Sequence, residues 1–229
     1  MEFIELSPDD SNSTLEKLCI AEQLVYWNEH TTHNLPPKSR FGFVLSGKTE
    51  VQFDNGVTCT LPEHACFSFD QGATLKGGTG FLIELQGNSP LHLIGGPVEK
   101  WGRLKYIDGC TDTLLLPPSR LGEPCLNALY FPAGVTQTIH THPSVRIGAV
   151  INGHGMCRTP SGNYSLRPGM LFVIPPNALH GFVTTTSAMT IVAYHPDSDS
   201  GPRDDDHPMI NRTMVNGTSA KYLEAIRTS

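Results

Sequence analysis

Shifted by 106 residues, the sequence overlies itself without a gap. Arg40, Gly42, Val44 and Gly47 fall on Arg146, Gly148, Val150 and Gly153, and further along Gly56 meets Gly162 and Pro62 meets Pro168. Six identities in 23 positions, concentrated at turn-forming Gly and Pro in similar strand-turn-strand surroundings, indicate an internal duplication. The chain must therefore build the same unit twice. That unit reads as β. Short β-prone runs cover Phe41–Leu45, Thr49–Phe53, Ala65–Phe69, Phe81–Leu85, Leu126–Phe131, Ile147–Ile151, Leu171–Ile174 and Met189–Tyr194, each ended by Gly, Pro, Asn or Asp or lying close to one. Gly and Pro, 22 and 18 of 229 residues, supply the punctuation. Regularly spaced short strands suggest a sandwich or barrel.

The expected fold is all-β, two barrels with short flanking helices. Its N-terminal half spans 1–95, a crossover linker 96–123, and the C-terminal half 124–229, with a polar tail and a terminal helix. Ser13 and Glu16 fit a capping box that opens a helix through about Leu24, and Ser219–Arg227 reads as the closing helix. The formal charge of −6 comes without any Lys/Arg cluster, which argues against a nucleic-acid partner. No run approaches 18 apolar residues and the acidic first residues lack a signal-peptide pattern, so a cytoplasmic protein without membrane contact is expected. Six scattered cysteines, never in CxxC spacing, are expected to be reduced thiols.

The chemistry concentrates in the second half. His140 and His142 stand two apart, so on an extended strand both imidazoles project from one face and can share a metal ion. A third imidazole must come from a neighbouring strand, and His180, just after a Pro-marked turn, is placed to supply it.

Gly134, His140 and His142, followed by Gly153 seven positions after Arg146, together with Gly169, Pro175 and His180, make two motifs that resemble those of the cupin superfamily. The resemblance covers about residues 124–195 and extends more weakly, through the repeat, to 26–86. It implies two jelly-roll barrels of the double-stranded β-helix type. Asn177 stands where the family usually has Gly and is nearly as able to take a left-handed turn.

Two departures matter. The family's glutamate ligand is replaced by Arg146, whose guanidinium offers no lone pair to a metal. In the first half, Asn34, Pro36 and Thr74 fall where the repeat places His140, His142 and His180, so that barrel is expected to be structural, although His30 and His33 lie nearby. Three neutral imidazoles leave a divalent ion its full charge and about three open positions, which suits an anionic substrate and dioxygen side by side. The resemblance points to Fe(II), as in thiol and diketone-cleaving dioxygenases, while Zn, Ni or Mn also accept imidazole. Arg146 has two readings, a substrate-carboxylate anchor or a structural ion pair shared with Arg40, its repeat partner.

Other polar residues have plainer readings. His154 reads as a solvated turn residue and Cys157, aligned with Val51, as core packing. The Asp- and His-rich stretch from His195 to His207 lacks the Gly and Glu of an EF-hand and reads as a polar excursion across a barrel surface or a partner subunit, which allows for a homodimer. His195 or His207 near the metal is the functional alternative. The leading expectation is an Fe(II) dioxygenase of a small anionic organic substrate. Alternatives are a non-catalytic small-molecule sensor and a metal-dependent isomerase or lyase.

Overall fold

The computed structural model describes all residues except Met1, Pro8, Asp10, Asn88 and Ser229. It is a β protein built from two similar two-sheet units. In the C-terminal unit, seven strands lie in the spatial order Ile4–Leu6, Leu171–Ile174, Arg146–Gly153, Met189–His195, Cys125–Phe131, Thr111–Leu116 and Leu104–Lys105. A smaller sheet of Gly162–Leu166, Gly155–Thr159 and Gly181–Val183 closes over it, and single bridges from Thr136 to Val183 and from His140 to His180 add an irregular fourth strand. In the N-terminal unit, five strands run Leu93–Gly95, Cys66–Phe69, Ser39–Ser46, Thr79–Leu85 and Gln23–Trp27. They face the sheet of Thr32–Leu35, Ala73–Lys76, Thr49–Phe53 and Thr58–Leu61.

Side chains alternate across a strand, and each large sheet uses both faces. On Ser39–Ser46, Val44 points into its own barrel, to a core with Trp27, Phe67, Phe69 and Leu82, whereas Phe41 and Phe43 point to the other unit. There they meet Ile147, Ala149, Val192 and Tyr194 in a core shared by both halves. A strand buried on both faces is largely apolar, and all the runs read from the sequence except Thr49–Phe53 belong to such strands.

Two expectations at the ends are corrected. The first helix spans Ser11–Lys17, with Ser13 inside it, and stops because Cys19 turns left-handed (φ 56°). Residues Gln23–Trp27 are then free to pair as an edge strand, held to the helix by Asn12, whose amide brackets the backbone of Leu24 at 2.7 and 2.9 Å. The C-terminal stretch forms no continuous helix but two 3₁₀ turns, Ala220–Tyr222 and Glu224–Ile226, after a helical turn at Pro208–Arg212. Of these nine or so residues only Ala220 is buried, and a helix so short without an apolar face to dock is marginal in water.

The repeat is real in its first segment and slips afterwards. Arg40 pairs with Phe69 as Arg146 pairs with Ile174, and Thr49 pairs with Leu61 as Gly155 pairs with Leu166. The second hairpin is therefore one residue shorter, and the Gly56/Gly162 and Pro62/Pro168 matches are not structurally equivalent. Leu35 faces Ala73 as His140 faces His180, so Leu35 and Ala73, rather than Asn34 and Thr74, occupy the histidine positions.

Candidate metal centre

His140 and His180 face each other as an antiparallel bridge in which each amide donates to the other's carbonyl, at 2.9 and 3.0 Å. Directly opposed residues on adjacent strands carry their side chains on one face, and His142, two positions on, joins them. The ring centroids lie 4.6 to 5.1 Å apart. One donor atom from each residue falls within 4.8 Å of the other two, and among the described residues no other group of His, Cys, Asp or Glu does this.

Local backbone holds the rings in place. Asn177 takes the left-handed conformation (φ 59°), and its amide donates to the carbonyl of His142 at 2.7 Å. The motif glycines Gly134, Gly153 and Gly169 also have positive φ, which is why glycine is needed there. Nδ1 of His140 lies 2.8 Å from the Thr138 carbonyl and Nδ1 of His180 lies 2.9 Å from the Ala178 carbonyl. A carbonyl can only accept, so both Nδ1 atoms carry the proton and both Nε2 lone pairs are free. Burial, then the charge of Arg146 and the neighbouring rings, pushes His142 down to about 3. Burial also takes His180 to about 4, against the Ala178 hydrogen bond. These imidazoles are neutral near pH 7, the state in which imidazole binds a metal.

His142 and His180 line a cavity of about 270 Å³ inside the C-terminal barrel. Leu129, Phe172, Ile174, Phe182 and Ile191 make its walls; Tyr106, Asp112, Asn127, Arg146 and His195 are its other polar groups. A buried apolar pocket with a few converging polar groups is the usual form of a small-molecule site. Burial raises Tyr106 and keeps it a neutral donor. It also takes His195, beside Arg146 and His142, well below its ordinary value.

Arg146 lines this cavity. Its Nη1 donates to the Ser144 carbonyl at 3.1 Å, the Ser144 hydroxyl at 2.7 Å and the Val145 carbonyl at 3.0 Å, while its buried Nε has no protein partner. Arg40 in the other barrel uses Nη1 in the same way, on the Lys38 carbonyl at 3.2 Å, but its Nε donates to Glu84 at 2.8 Å. Lys38 holds the same carboxylate at 2.9 Å. Phe41 pairs with Ile83 and Ile147 with Tyr194, so the residue that takes the place of Glu84 is His195. The direct ion pair of one barrel is absent from the other, where the acidic charge acting on Arg146, that of Asp197, is joined to it through the Ser144 hydroxyl.

The remaining candidates fall away from the cavity. Cys157 packs in the core with Phe172 and Phe182, its thiol pushed up to about 12 by burial. His30 is exposed beside Glu29, and His33 meets the Thr31 hydroxyl at 2.8 Å. In the polar tail, Asp204 pairs with Arg120 at 2.6 Å, Asp206 with Lys221 at 3.5 Å, and His207 caps the turn Pro208–Arg212. His195 alone of that stretch enters the pocket. Asn127 and Asp112 carry no motif and reach it through strand pairing, and Tyr106 reaches it just after the edge strand Leu104–Lys105.

The family profile of the AraC-like ligand binding domain matches residues 127–198. A search of curated proteins returns no match. Among solved structures, YlbA of E. coli is 15% identical with a TM-score of 0.60, covering 88% of this chain and 84% of that one. A cupin 2 conserved barrel domain protein of Leptotrichia buccalis is 14% identical with a TM-score of 0.56 (77% and 83% covered). Salicylate 1,2-dioxygenase of Pseudoaminobacter salicylatoxidans, as its adduct with gentisate, is 10% identical with a TM-score of 0.56 (76% and 67% covered). With both barrels described, and with Gly134, His140, His142, Gly153, Gly169, Pro175 and His180 each at its motif position, the chain has the cupin fold.

Proposed function

We propose that this chain is a metal-dependent oxygenase of a small anionic organic molecule, with the metal held by His140, His142 and His180. The observation that carries the reading is the convergence of three imidazoles, two with Nε2 freed by a backbone acceptor on Nδ1, at an apolar cavity. Iron(II) is the ion proposed, and when bound it supplies the one-electron chemistry that lets dioxygen react with an organic molecule. The protein's own part is binding and orientation. Thr138 and Ala178 hold two imidazoles in the ligating tautomer, and Phe172, Phe182, Ile174 and Ile191 exclude water. Arg146 gives the pocket a fixed positive charge, and the opposing Asp112 carboxylate is engaged by the Asn127 amide at 2.8 Å. An anionic molecule matches the net charge of a dication with these groups. That one structural neighbour is a dioxygenase bound to gentisate supports the reading.

A sensor that binds without turnover is the second reading, favoured by the AraC-like ligand binding profile over the half that holds the pocket. Metal analysis of the purified protein, with His140→Ala and His180→Ala, tests the centre: one iron per chain, lost in both variants, is expected. Unchanged metal content in either variant rejects the site. Oxygen uptake over a panel of thiols, diketones and phenolic acids then separates the readings, because a sensor consumes none.

A further inference from the structure

The two arginines differ in what holds their Nε. In the N-terminal barrel, Arg40 Nε is occupied by a carboxylate that belongs to the fold, Glu84. In the C-terminal barrel the same Nε is buried and unpartnered, Nη1 is turned to the backbone as in Arg40, and the strand position that should supply the carboxylate holds His195. Glu84 is thus a picture of what Arg146 is built to hold. A guanidinium with Nη1 already engaged presents its Nε edge, the edge suited to a carboxylate.

A second unpartnered atom belongs to another residue that lines this cavity. Asn127 Nδ2 donates to Asp112 at 2.8 Å, and because a carboxylate accepts only, the amide cannot be flipped. Its Oδ1 is consequently the free atom, buried and without a protein partner. It is an acceptor that lacks a donor, as Arg146 Nε is a donor that lacks an acceptor. The corresponding N-terminal residue is Val25, since Gln23 pairs with Glu84 as Cys125 pairs with His195. Both departures from the structural barrel therefore leave an unmet polar atom on residues that line one cavity. Its volume of about 270 Å³ exceeds the roughly 150 Å³ of an apolar cavity that takes up benzene, which leaves room for a ring and its substituents.

We propose that Arg146, with His195 as the residue that leaves it open, and Asn127 form a recognition subsite for a ligand carrying a carboxylate and, on the same compact apolar body, a hydroxyl or amino donor. The carboxylate takes the place of Glu84 at Nε, and the donor binds Asn127 Oδ1. This deepens the proposed function by naming the substrate class, and it rests on the cavity being the substrate site, not on the identity of the metal. His195 determines specificity by what it is not: a glutamate there would fill the subsite from within.

The test is isothermal titration calorimetry on the full chain, as purified and after chelator treatment, with benzoate, phenol and the three monohydroxybenzoates as probes. At least one hydroxybenzoate is expected to bind tenfold or more tighter than benzoate, phenol to bind without measurable heat, and carboxylate binding to survive removal of the metal. Asn127→Leu should abolish only the advantage of the hydroxyl. His195→Glu should weaken every carboxylate at least 100-fold while metal content stays unchanged, whereas His195→Gln should keep carboxylate binding. If His195→Glu does not fold, Arg146→Gln gives the same readout. Carboxylate affinity unaltered in His195→Glu or Arg146→Gln overturns the proposal. So does its complete loss on metal removal, which would mean that the metal alone holds the anion. Equal binding of benzoate and all three hydroxybenzoates overturns the assignment of Asn127. A protein that never holds metal yet shows the expected carboxylate pattern refutes the oxygenase reading and leaves this one standing.

Discussion

The two barrels share strand order and part of their register, yet they line their cavities with different chemistry. Trp27, fully buried, packs over Gly80 in the first barrel, and in the second the same pair is Leu129 and Ile191. Leu82 is answered by Ala193, Phe69 by Ile174, and the facing pair Leu35 and Ala73 by His140 and His180. Arg40 is sealed by Glu84, and Arg146 faces an open pocket beside His195. Each barrel has a cavity of about 270 Å³, but that of the first, lined by Val51, Leu61, Phe67 and Phe69, includes neither Arg40 nor the pair Leu35 and Ala73, whereas that of the second is lined by His142, His180 and Arg146. Few positions separate them, and all sit on strands that point into the barrel. In a close-packed interior, exchanging Leu for Ala at one such position opens space that its neighbours refill only in part.

The largest effect that should distinguish the barrels lies at their ion pairs. Glu84→Gln leaves the Arg40 guanidinium, which is 0% exposed, without a charge partner, and chemical denaturation should show a loss of about 3–5 kcal/mol. His195→Gln, at the equivalent position, should cost less than about 1 kcal/mol, within the range of changes that break no buried pair. Equal losses would mean that the barrels do not differ in this way. The pH dependence follows with a definite sign. Burial raises Glu84, but the hydrogen bonds and charges of Lys38 and Arg40 outweigh it and hold the carboxyl below its usual range. Its contribution is therefore full above about pH 4.3, the ordinary value in an unfolded chain, and is lost as pH falls through the lowered folded value. The wild type should lose stability across that acid range, and the gap to Glu84→Gln should narrow.

Next in size is Ala193→Leu, which restores the filled pattern of Leu82. It should cost about 1–3 kcal/mol by crowding and remove measurable binding of hydroxybenzoates while iron content persists. Retained ligand affinity would place the binding site elsewhere. A smaller effect than at Ala193 is expected at Asn177, whose left-handed backbone suits Asn better than Ala: Asn177→Ala should cost about 1–2 kcal/mol in thermal unfolding, with partial loss of metal through His142. Asn177→Gly should restore both.

What the sequence disclosed follows the same division. Strands buried on both faces, such as Ile147–Ile151 and Phe81–Leu85, stand out as apolar runs; those of the small sheets, such as Thr58–Leu61 or Gly162–Leu166, carry exposed polar residues and leave no run to read. The three histidines were legible because their geometry is local: a two-residue spacing, a Pro turn and glycines that need positive φ. His195 could be named as an alternative near the metal, but its place at the position of Glu84 was not legible, because a sequence overlay at a constant shift of 106 never brings it onto Glu84. The hairpin and loops between them differ in length, and only the pairing of Tyr194 with Ile147 aligns the two. The same limit left the role of Arg146 open, since its meaning depends on a partner 44 residues away from Arg40 in the other barrel.

One barrel of the two is proposed to hold a metal. A crystal of the purified protein, measured for anomalous scattering on both sides of the iron absorption edge, tests it directly. A single iron peak per chain is expected, bonded to His140, His142 and His180, and none near Leu35 and Ala73. A peak elsewhere, or full-length protein grown with iron that shows none at the three histidines, would contradict it.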